Sequence, residues 1–234
     1  MAPELAHRDP ELRLRDYLAG LDFYLRQLRD RVFDRLLFVE NSAFGTQVFE
    51  DRAAAAGLAG RSEFISYDGM SGQPQLPRFQ AECLLMLHAV RNAACLRGRP
   101  DMRVWKVTGR YIVRNIAAIV RDAPSRLDFT LQCRNRNGGE TAEFAVVGLS
   151  AEKAEMVLER IVNHKGFAEL NEYLVRRMID DGEFDDIILQ PRLAHVPNIS
   201  GTRGNDGSNF DGLRARTAYV RQVAMSLLFP GRWT

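Results

Sequence analysis

The stretch Val104–Ile116, with the sequence VWKVTGRYIVRNI, decides the fold because a short apolar segment meets a polar turn there. The segment 104–107 is typical of a buried strand. From Ile112 onward, apolar residues recur every three or four positions, which predicts a helix. Gly109, between the two, permits an unusual backbone angle or a close approach. The sequence therefore predicts a strand, a tight turn and a helix.

The start of that predicted helix would suit an anion. The first backbone N–H groups of a helix lack internal partners and carry partial positive charge. Lys106, Arg110 and Arg114 surround this point with full positive charges, so phosphate is the expected ligand. The alternative is that Thr108 simply caps the helix and that the basic side chains are solvated.

Length and composition are those of a globular protein with one domain. The chain has 234 residues, of which 46% are hydrophobic and 26% charged, which excludes disorder as the main state. Lys and Arg number 32 against 30 Asp and Glu, so no global field attracts nucleic acid. Anion binding must therefore be local.

The apolar runs and the cysteines both indicate a cytoplasmic, reducing compartment. The longest apolar runs are too short to span a bilayer, and we see no apolar signal segment, so we expect a cytoplasmic protein. Cys83, Cys95 and Cys133 show no C-x-x-C spacing. We interpret them as packed thiols in a reducing compartment.

The rest of the chain alternates strands and helices. The predicted elements are a helix opened by Asp9 and Pro10, strands at 35–39 and 63–67 around a short helix at 51–58, a long helix opened by Pro77, the focal strand and helix, strands at 127–133 and 144–149, a helix capped by Ser150, and helices at 167–178 and 213–228. This order predicts an α/β fold with a mostly parallel central sheet flanked by helices.

Polar side chains follow two of the predicted strands. Glu40 and Asn41 come after the first strand and Asp68 after the second. The carboxyl ends of parallel strands meet at one edge of a sheet, where ligands bind. The alternative is that these side chains only cap loops.

The segment from Asp180 to Gly212 combines an acidic run, 180–186, with a stretch rich in Pro and Gly. A structureless segment of this length in a compact domain is usually a lid or a binding loop. The acidic run taken alone is also typical of a solvated turn.

Three runs carry a resemblance to a known family: LFVENS at 37–42, SYDG at 66–69, and KVTGRY at 106–111 with Asn115. With RDPELRL at 8–14 and the region 206–208, they resemble bacterial GT-A-type glycosyltransferases of surface-polysaccharide biosynthesis, which build lipopolysaccharide, O-antigen and capsule. The resemblance implies one GT-A-like, Rossmann-like domain over 1–234. Its nucleotide-sugar-binding core would be 1–179, and 180–234 would supply acceptor-side loops and a C-terminal helix.

The resemblance implies sugar transfer from a nucleotide-sugar donor to a polysaccharide or glycolipid acceptor. The corresponding GT-A strand generally ends in a metal-binding Asp-x-Asp motif, but Lys106 and Arg110 stand there in this chain, so we expect them to stabilise the leaving phosphate without a metal ion or other cofactor. The implied substrate-binding residues are Glu40, Asn41, Ser42, Asp68, Glu82, Lys106, Thr108, Gly109, Arg110, Tyr111 and Asn115, with Arg192, Arg203 and Asp206 on the acceptor side.

An inverting transferase also needs a base for the acceptor hydroxyl. The candidates are Asp181, Glu183, Asp186 and His195, and the sequence does not choose among them. Family members also carry a strand before the Arg-Asp-Pro helix and a Gly-rich turn with a glutamate before the long helix. Here only Glu82 remains of that turn, and the late start suggests a trimmed or misassigned N-terminus.

The alternative function is a non-catalytic module that binds a nucleotide or an anionic sugar and partners another transferase. A nuclease or RNA-binding domain would need clustered basic and aromatic residues or paired metal carboxylates, and the near-neutral charge argues against it. We expect no nucleic-acid partner and no transmembrane segment. Peripheral contact with a membrane surface is compatible with this expectation. Donor, acceptor and oligomeric state stay open.

Overall fold

The computed structural model describes residues 9–41, 45–68, 77–136, 139–166, 171–201 and 210–228. The helices are α1 Pro10–Arg29, α2 Gln47–Ala55, α3 Arg78–Asn92, α4 Ile116–Arg121, α5 Ala151–Val162, α6 Glu172–Asp180 and α7 Leu213–Leu228. The strands are β1 Leu36–Glu40, β2 Ser62–Ser66, β3 Arg103–Val107, β4 Ile112–Val113, β5 Phe129–Arg136, β6 Gly139–Ser150, β7 Leu189–Gln190 and β8 Ile199–Ser200. Short 3-10 helices lie at Ala59–Arg61 and Ala94–Leu96.

The fold is mixed α/β, as the alternating pattern predicts. Strands β1 and β2 pair in parallel, and β4 pairs with β8 in an antiparallel ribbon. The larger sheet has the order β3-β6-β5-β7, with β6 antiparallel to β3 and β5 and β7 parallel to β5. A single mostly parallel central sheet is therefore not confirmed. The physical reason is the hairpin that joins β5 to β6, which a sequence reading in separate short strands does not reveal.

Several helix boundaries follow from local capping. Asp9 accepts hydrogen bonds from the backbone N–H groups of Glu11 and Leu12, and Pro10 occupies the first turn, as predicted for α1. Asn171 caps α6 in the same way, so that helix begins later than the predicted 167, and residues 167–170 lie outside the described residues. Ser150 stands at the cap position of α5, but its hydroxyl donates to Asp128 Oδ1 at 3.0 Å.

Two predicted helices differ from those observed. Helix α2 lies one turn earlier than the predicted 51–58. The helix expected from Ile112 begins only at Ile116, because 112–113 pair with 199–200 as strand β4. That pairing joins residues far apart in sequence, so the apolar spacing of 112–120 carries no trace of it.

The core has three parts. The largest lies on one face of the four-stranded sheet under α3, α5 and α6, and it includes Phe129, Phe144 and Phe184. The second packs α1 and α2 against β1 and β2. The third joins β4 and α4 to the opposite side of β6 through Val146. Helix α1 touches the last two, since Phe23 and Tyr24 pack on the third.

The alternation of side chains along β6 changes where its register to β5 shifts between Thr130 and Gln132, so Phe144 and Val147 both belong to the largest core. Gly148 of β6 leaves space for the Trp105 ring, since a Cβ added at Gly148 would lie 2.9 Å from the indole and 2.7 Å from Thr130 Cγ2. The free thiols Cys83 and Cys133 are buried and Cys95 is half-buried, and burial raises their pKa values to about 12, 11 and 11. The prediction of packed thiols is confirmed.

Candidate anion-binding site

The turn after β3 runs from Thr108 to Tyr111. The N–H of Tyr111 donates to Thr108 O at 2.8 Å, and the N–H of Thr108 donates to Ala145 O at 3.3 Å, so β6 anchors the turn. The chain then enters β4 and not a helix. The helix start predicted at this turn is therefore wrong, and Thr108 does not cap a helix.

Lys106 lies at the centre of a compact polar cluster near the end of β3. Its ammonium forms an ion pair with Glu82 of α3, donates to the backbone oxygen of Phe144, and donates to Thr108 Oγ1 at 3.2 Å. The Thr108 hydroxyl in turn donates to Glu82 Oε1 at 2.9 Å. The Lys106 and Glu82 side chains are only 12% and 24% exposed.

This cluster changes the role expected of Lys106. A lysine ammonium has three N–H donors, and all three are used inside the protein. A phosphate would have to displace one of these bonds. We therefore interpret Lys106, Glu82 and Thr108 as a link that holds α3 against the end of β3, beside the anion site and not part of it.

Arg110 differs from Lys106 in having no such partners. Its residue is only 6% exposed, yet no described residue pairs with its guanidinium, and its Nε is buried without a hydrogen bond. The contact it does make is with the Tyr17 ring of α1, whose centroid lies 5.8 Å from the guanidinium carbon. A buried, always protonated group without a counter-charge is costly, and a bound anion would remove that cost.

Close backbone approaches hold the turn in place. A Cβ added to Gly20 of α1 would lie 2.6 Å from Gly109 O, and one added to Gly201 would lie 2.8 Å from Arg110 O. Gly201 also has a φ of +116°, which favours glycine. The backbone of the turn is thus held between α1 and the segment after β8.

Tyr24 adds the strongest polar link from α1. Its hydroxyl donates to Tyr111 O at 2.8 Å and accepts from the N–H of Val113 at 3.1 Å. Burial raises the pKa of this phenol, so it stays a donor at physiological pH. The Tyr111 ring lies edge-on to Phe210 at 5.2 Å.

Asn115 and Arg114 organise the neighbouring loop. The Asn115 amide donates to Val196 O at 2.9 Å and its oxygen accepts from the N–H of Asn198 at 2.8 Å. Arg114 bonds Ser200 Oγ at 3.1 Å and Asp211 Oδ1 at 2.6 Å. Both side chains therefore support the loop.

At the β1 and β2 ends the structure brings the predicted residues near one another. Glu40 is buried and its backbone oxygen accepts from the N–H of Tyr67 at 2.7 Å, one residue before Asp68. Asn41 and Asp68 are exposed. Ser42 lies outside the described residues.

The predicted bases are distributed over other contacts. Asp186 pairs with Arg160 at 2.5 Å, Glu183 with His164 at 3.2 Å, and His195 with Asp122 at 2.6 Å. Asp181 ends α6 and is exposed. On the proposed acceptor side, Arg192 donates to Ser226 Oγ at 3.1 Å, whereas Arg203 and Asp206 lie outside the described residues. None of these contacts involves Arg110 or the Lys106 cluster.

The predicted base Asp186 and the partner of His195, Asp122, are both weak bases. The Arg160 hydrogen bond lowers the pKa of Asp186 to about 2, and hydrogen bonds from Arg121 and then His195 lower the pKa of Asp122 to about 2. A group that binds its proton so weakly removes one from a hydroxyl poorly. Neither carboxylate is therefore a good general base.

Sequence reasoning missed Tyr17 and Tyr24. Both stand in the apolar stripe of α1 and were indistinguishable there from core residues. A concavity of about 440 Å³ lies elsewhere, at the amino ends of β1 and β2, and is lined by Arg35, Arg61, Glu63, Arg97 and neighbouring residues. This concavity is separate from the carboxyl ends of β1 and β2, where Glu40 and Asp68 lie.

The chain was compared with protein-family models, with curated proteins and with solved structures, and none of these comparisons gave a match.

Proposed function

We propose that this chain is a glycosyltransferase that moves a sugar from a nucleotide-sugar donor to a surface-polysaccharide or glycolipid acceptor. In this proposal the fold is GT-A-like, and Arg110 holds the donor diphosphate without a metal ion. The observation that carries it is the buried guanidinium of Arg110, which has no counter-charge among the described residues. The family resemblance supplies the substrate class.

Arg110 suits a diphosphate for chemical reasons. A guanidinium presents planar N–H donors that match phosphate oxygens, and it stays charged at any physiological pH. Tyr17 lies against it and limits its movement. When the bond between the sugar C1 and the diphosphate oxygen breaks, the electron pair goes to that oxygen, and a fixed cation beside it stabilises the charge.

The other half of the reaction forms a bond between an acceptor oxygen and C1, and the acceptor proton passes to a base. The lowered pKa values of Asp186 and Asp122 make those carboxylates poor choices. Asp181, Glu183 and His195 remain as candidates. Replacing the base should lower turnover far more than donor affinity.

The test begins with a thermal-shift screen of nucleotides and nucleotide sugars. A ligand at 100 times its dissociation constant stabilises a protein by about 2.7 kcal/mol, which gives a clear rise in Tm. The best ligand is then incubated with candidate acceptors, with and without EDTA, and release of the nucleoside diphosphate is followed. We expect turnover that EDTA leaves unchanged. Strict dependence on manganese or magnesium would contradict metal-free phosphate binding.

A second candidate is a module that binds a nucleotide or an anionic sugar without catalysis. It is favoured by the engagement of Asp186, Glu183 and His195 in ion pairs away from Arg110. Saturable nucleotide-sugar binding with no release of nucleoside diphosphate, over a broad set of acceptors, would select this function over transfer.

A further inference from the structure

Helix α7 exposes its apolar residues in an unusual way. Within the described part of the chain, seven large hydrophobic residues are exposed, and four of them lie on this helix: Leu213 at 83%, Val220 at 65%, Leu227 at 76% and Leu228 at 69%. Thr217 and Ala224 are also exposed, so positions 213, 217, 220, 224 and 227 are spaced by four and three residues in turn, and Leu228 directly follows Leu227. This spacing places them in one stripe along the helix.

The inward side of α7 is mixed, because its half-buried residues include Ala215, Tyr219, Val223 and Met225 as well as two polar residues. Gln222 and Ser226 are half-buried there, and Ser226 accepts the hydrogen bond from Arg192. A helix that merely closes a soluble domain presents a polar face to solvent, whereas α7 presents a second apolar stripe there. Among the described residues, nothing buries this outward stripe.

The charges beside the stripe indicate what that partner is. Arg216 and Arg221 are exposed, and at 3.6 residues per turn they fall on its two borders. The helix sequence contains a third arginine, Arg214, and no Asp or Glu. The nearest preceding acid, Asp211, is already paired with Arg114 at 2.6 Å. The face thus combines an apolar centre with basic borders.

A second copy of the chain fits this face poorly. Pairing two α7 helices through their stripes would bring the arginines of both copies together without a carboxylate on either helix, and like charges at such borders are destabilising. Anionic lipid headgroups have the complementary charge, and acyl chains accept apolar side chains. Arginines can extend from the borders of such a stripe toward headgroups.

We propose that α7 is a membrane-surface helix that lies in the plane of a bilayer containing anionic lipid. Its apolar stripe enters the interface, and Arg216 and Arg221 bind headgroup phosphates. Its 16 residues make it about 24 Å long, and none of the helices in the described ranges is long and apolar enough to cross a membrane. This inference does not depend on the proposed function, because it rests on a different surface.

The experiment is vesicle flotation of the full chain at low and at physiological salt. One set of vesicles contains equal parts phosphatidylglycerol and phosphatidylcholine, and the other contains phosphatidylcholine alone. We expect flotation with the first set that weakens as salt rises, and much weaker flotation with the second. Equal binding to both sets, or binding to neither, would overturn the proposal.

Two variants test the two components separately. Arg216→Gln with Arg221→Gln should weaken binding to the anionic vesicles by about 30-fold, because each basic residue near the surface contributes about a fivefold factor. Leu227→Ser with Leu228→Ser should weaken it by about 100-fold or more, from lost apolar burial. Ile188→Ser, at a residue that is 50% exposed outside α7, is the matched control and should bind like the wild type.

Light scattering after gel filtration tests the remaining alternative, that the stripe pairs with a second copy of the chain. The replaced residues are exposed, so the variants should keep the wild-type Tm and circular dichroism. A wild-type dimer that the leucine variant converts to a monomer would show that the stripe pairs with a second copy, and the lipid proposal would then be wrong.

Discussion

At the scale of single residues, two basic side chains four positions apart have opposite environments. Lys106 uses every donor of its ammonium inside the protein, whereas Arg110 is buried with a donor that has no acceptor. The first arrangement stabilises the fold, and the second is a cost that a ligand could remove. Sequence alone ranked the two residues equally because charge and spacing do not report hydrogen bonds.

Removing the Lys106 ammonium should therefore destabilise the fold. Lys106→Met removes the positive charge beside the Glu82 carboxylate, which keeps only the Thr108 hydroxyl, and it removes the side-chain donor to the Phe144 carbonyl. We expect the free energy of unfolding, measured in urea, to fall by about 1–3 kcal/mol. Adding Glu82→Gln should recover part of the loss, since the unpaired charge is then gone. Arg91→Met, in an exposed ion pair with Glu155, is the control and should change stability by about 0–1 kcal/mol. Equal effects of Lys106→Met and Arg91→Met would contradict this role.

The Tyr24 hydroxyl is the second residue-scale case. Tyr24→Phe leaves Tyr111 O and the Val113 N–H without a partner, so we expect a loss of about 1–3 kcal/mol in the free energy of unfolding. Tyr173→Phe, at a residue that is 48% exposed, controls for loss of a phenol and should change little. A Tyr24→Phe protein as stable as the wild type would mean that water replaces the hydroxyl.

At the scale of elements, the sequence predicted what local chemistry determines. The Asp9 and Pro10 start of α1 and the bounds of β1, β2 and β3 were predicted closely, because caps and apolar runs are local signals. The β4–β8 ribbon was missed because it pairs residues distant in sequence. The β5–β6 hairpin was missed because the predicted strands, 127–133 and 144–149, stop short of the residues that pair across its turn. The candidate site changed as a result, because β4 took the place of a helix start.

Contact between α1 and the turn gives an element-scale prediction. In Gly20→Ala the new Cβ would lie 2.6 Å from Gly109 O, so α1 and the turn must separate. We expect Tm to fall by an amount equivalent to about 1–3 kcal/mol, even though alanine favours the helix by about 1 kcal/mol. Gly60→Ala, where the space is open, should leave Tm nearly unchanged. If both variants behave alike, the close approach does not constrain the turn.

At the scale of the whole molecule, each of the three core clusters has a residue in contact with β3 or with the turn that follows it. Cluster one carries Lys106 and Glu82 on its margin, and α1 brings Tyr17 and Tyr24 from the others. Because those residues belong to separate elements, only the assembled fold brings Tyr17 to Arg110 and Tyr24 to the backbone of Tyr111. The sequence located the right stretch but not its partners.

Ion pairs between helices and loops make the stability of the molecule depend on pH. Arg160 lowers the pKa of Asp186 to about 2, so this pair stabilises the folded state fully above the ordinary carboxyl range. The contribution is lost as pH falls toward about 2. The Tm difference between wild type and Asp186→Asn should thus be largest near neutral pH and vanish in strong acid. Asp101→Asn, at an exposed carboxylate, is the control, and a difference that persists unchanged at low pH would rule out the ion pair as its source.

The most direct test of the account is the affinity of Arg110→Gln for the nucleotide sugar that the screen selects, measured by calorimetry. A charge-assisted contact contributes about 1.5–3 kcal/mol, so we predict that the dissociation constant rises about 10- to 150-fold, while the unliganded variant is at least as stable as the wild type. Arg177→Gln, on an exposed face of α6, should bind like the wild type. An Arg110→Gln protein with wild-type affinity, or one whose only defect is a lower Tm without ligand, would contradict the central claim that Arg110 holds the donor phosphate.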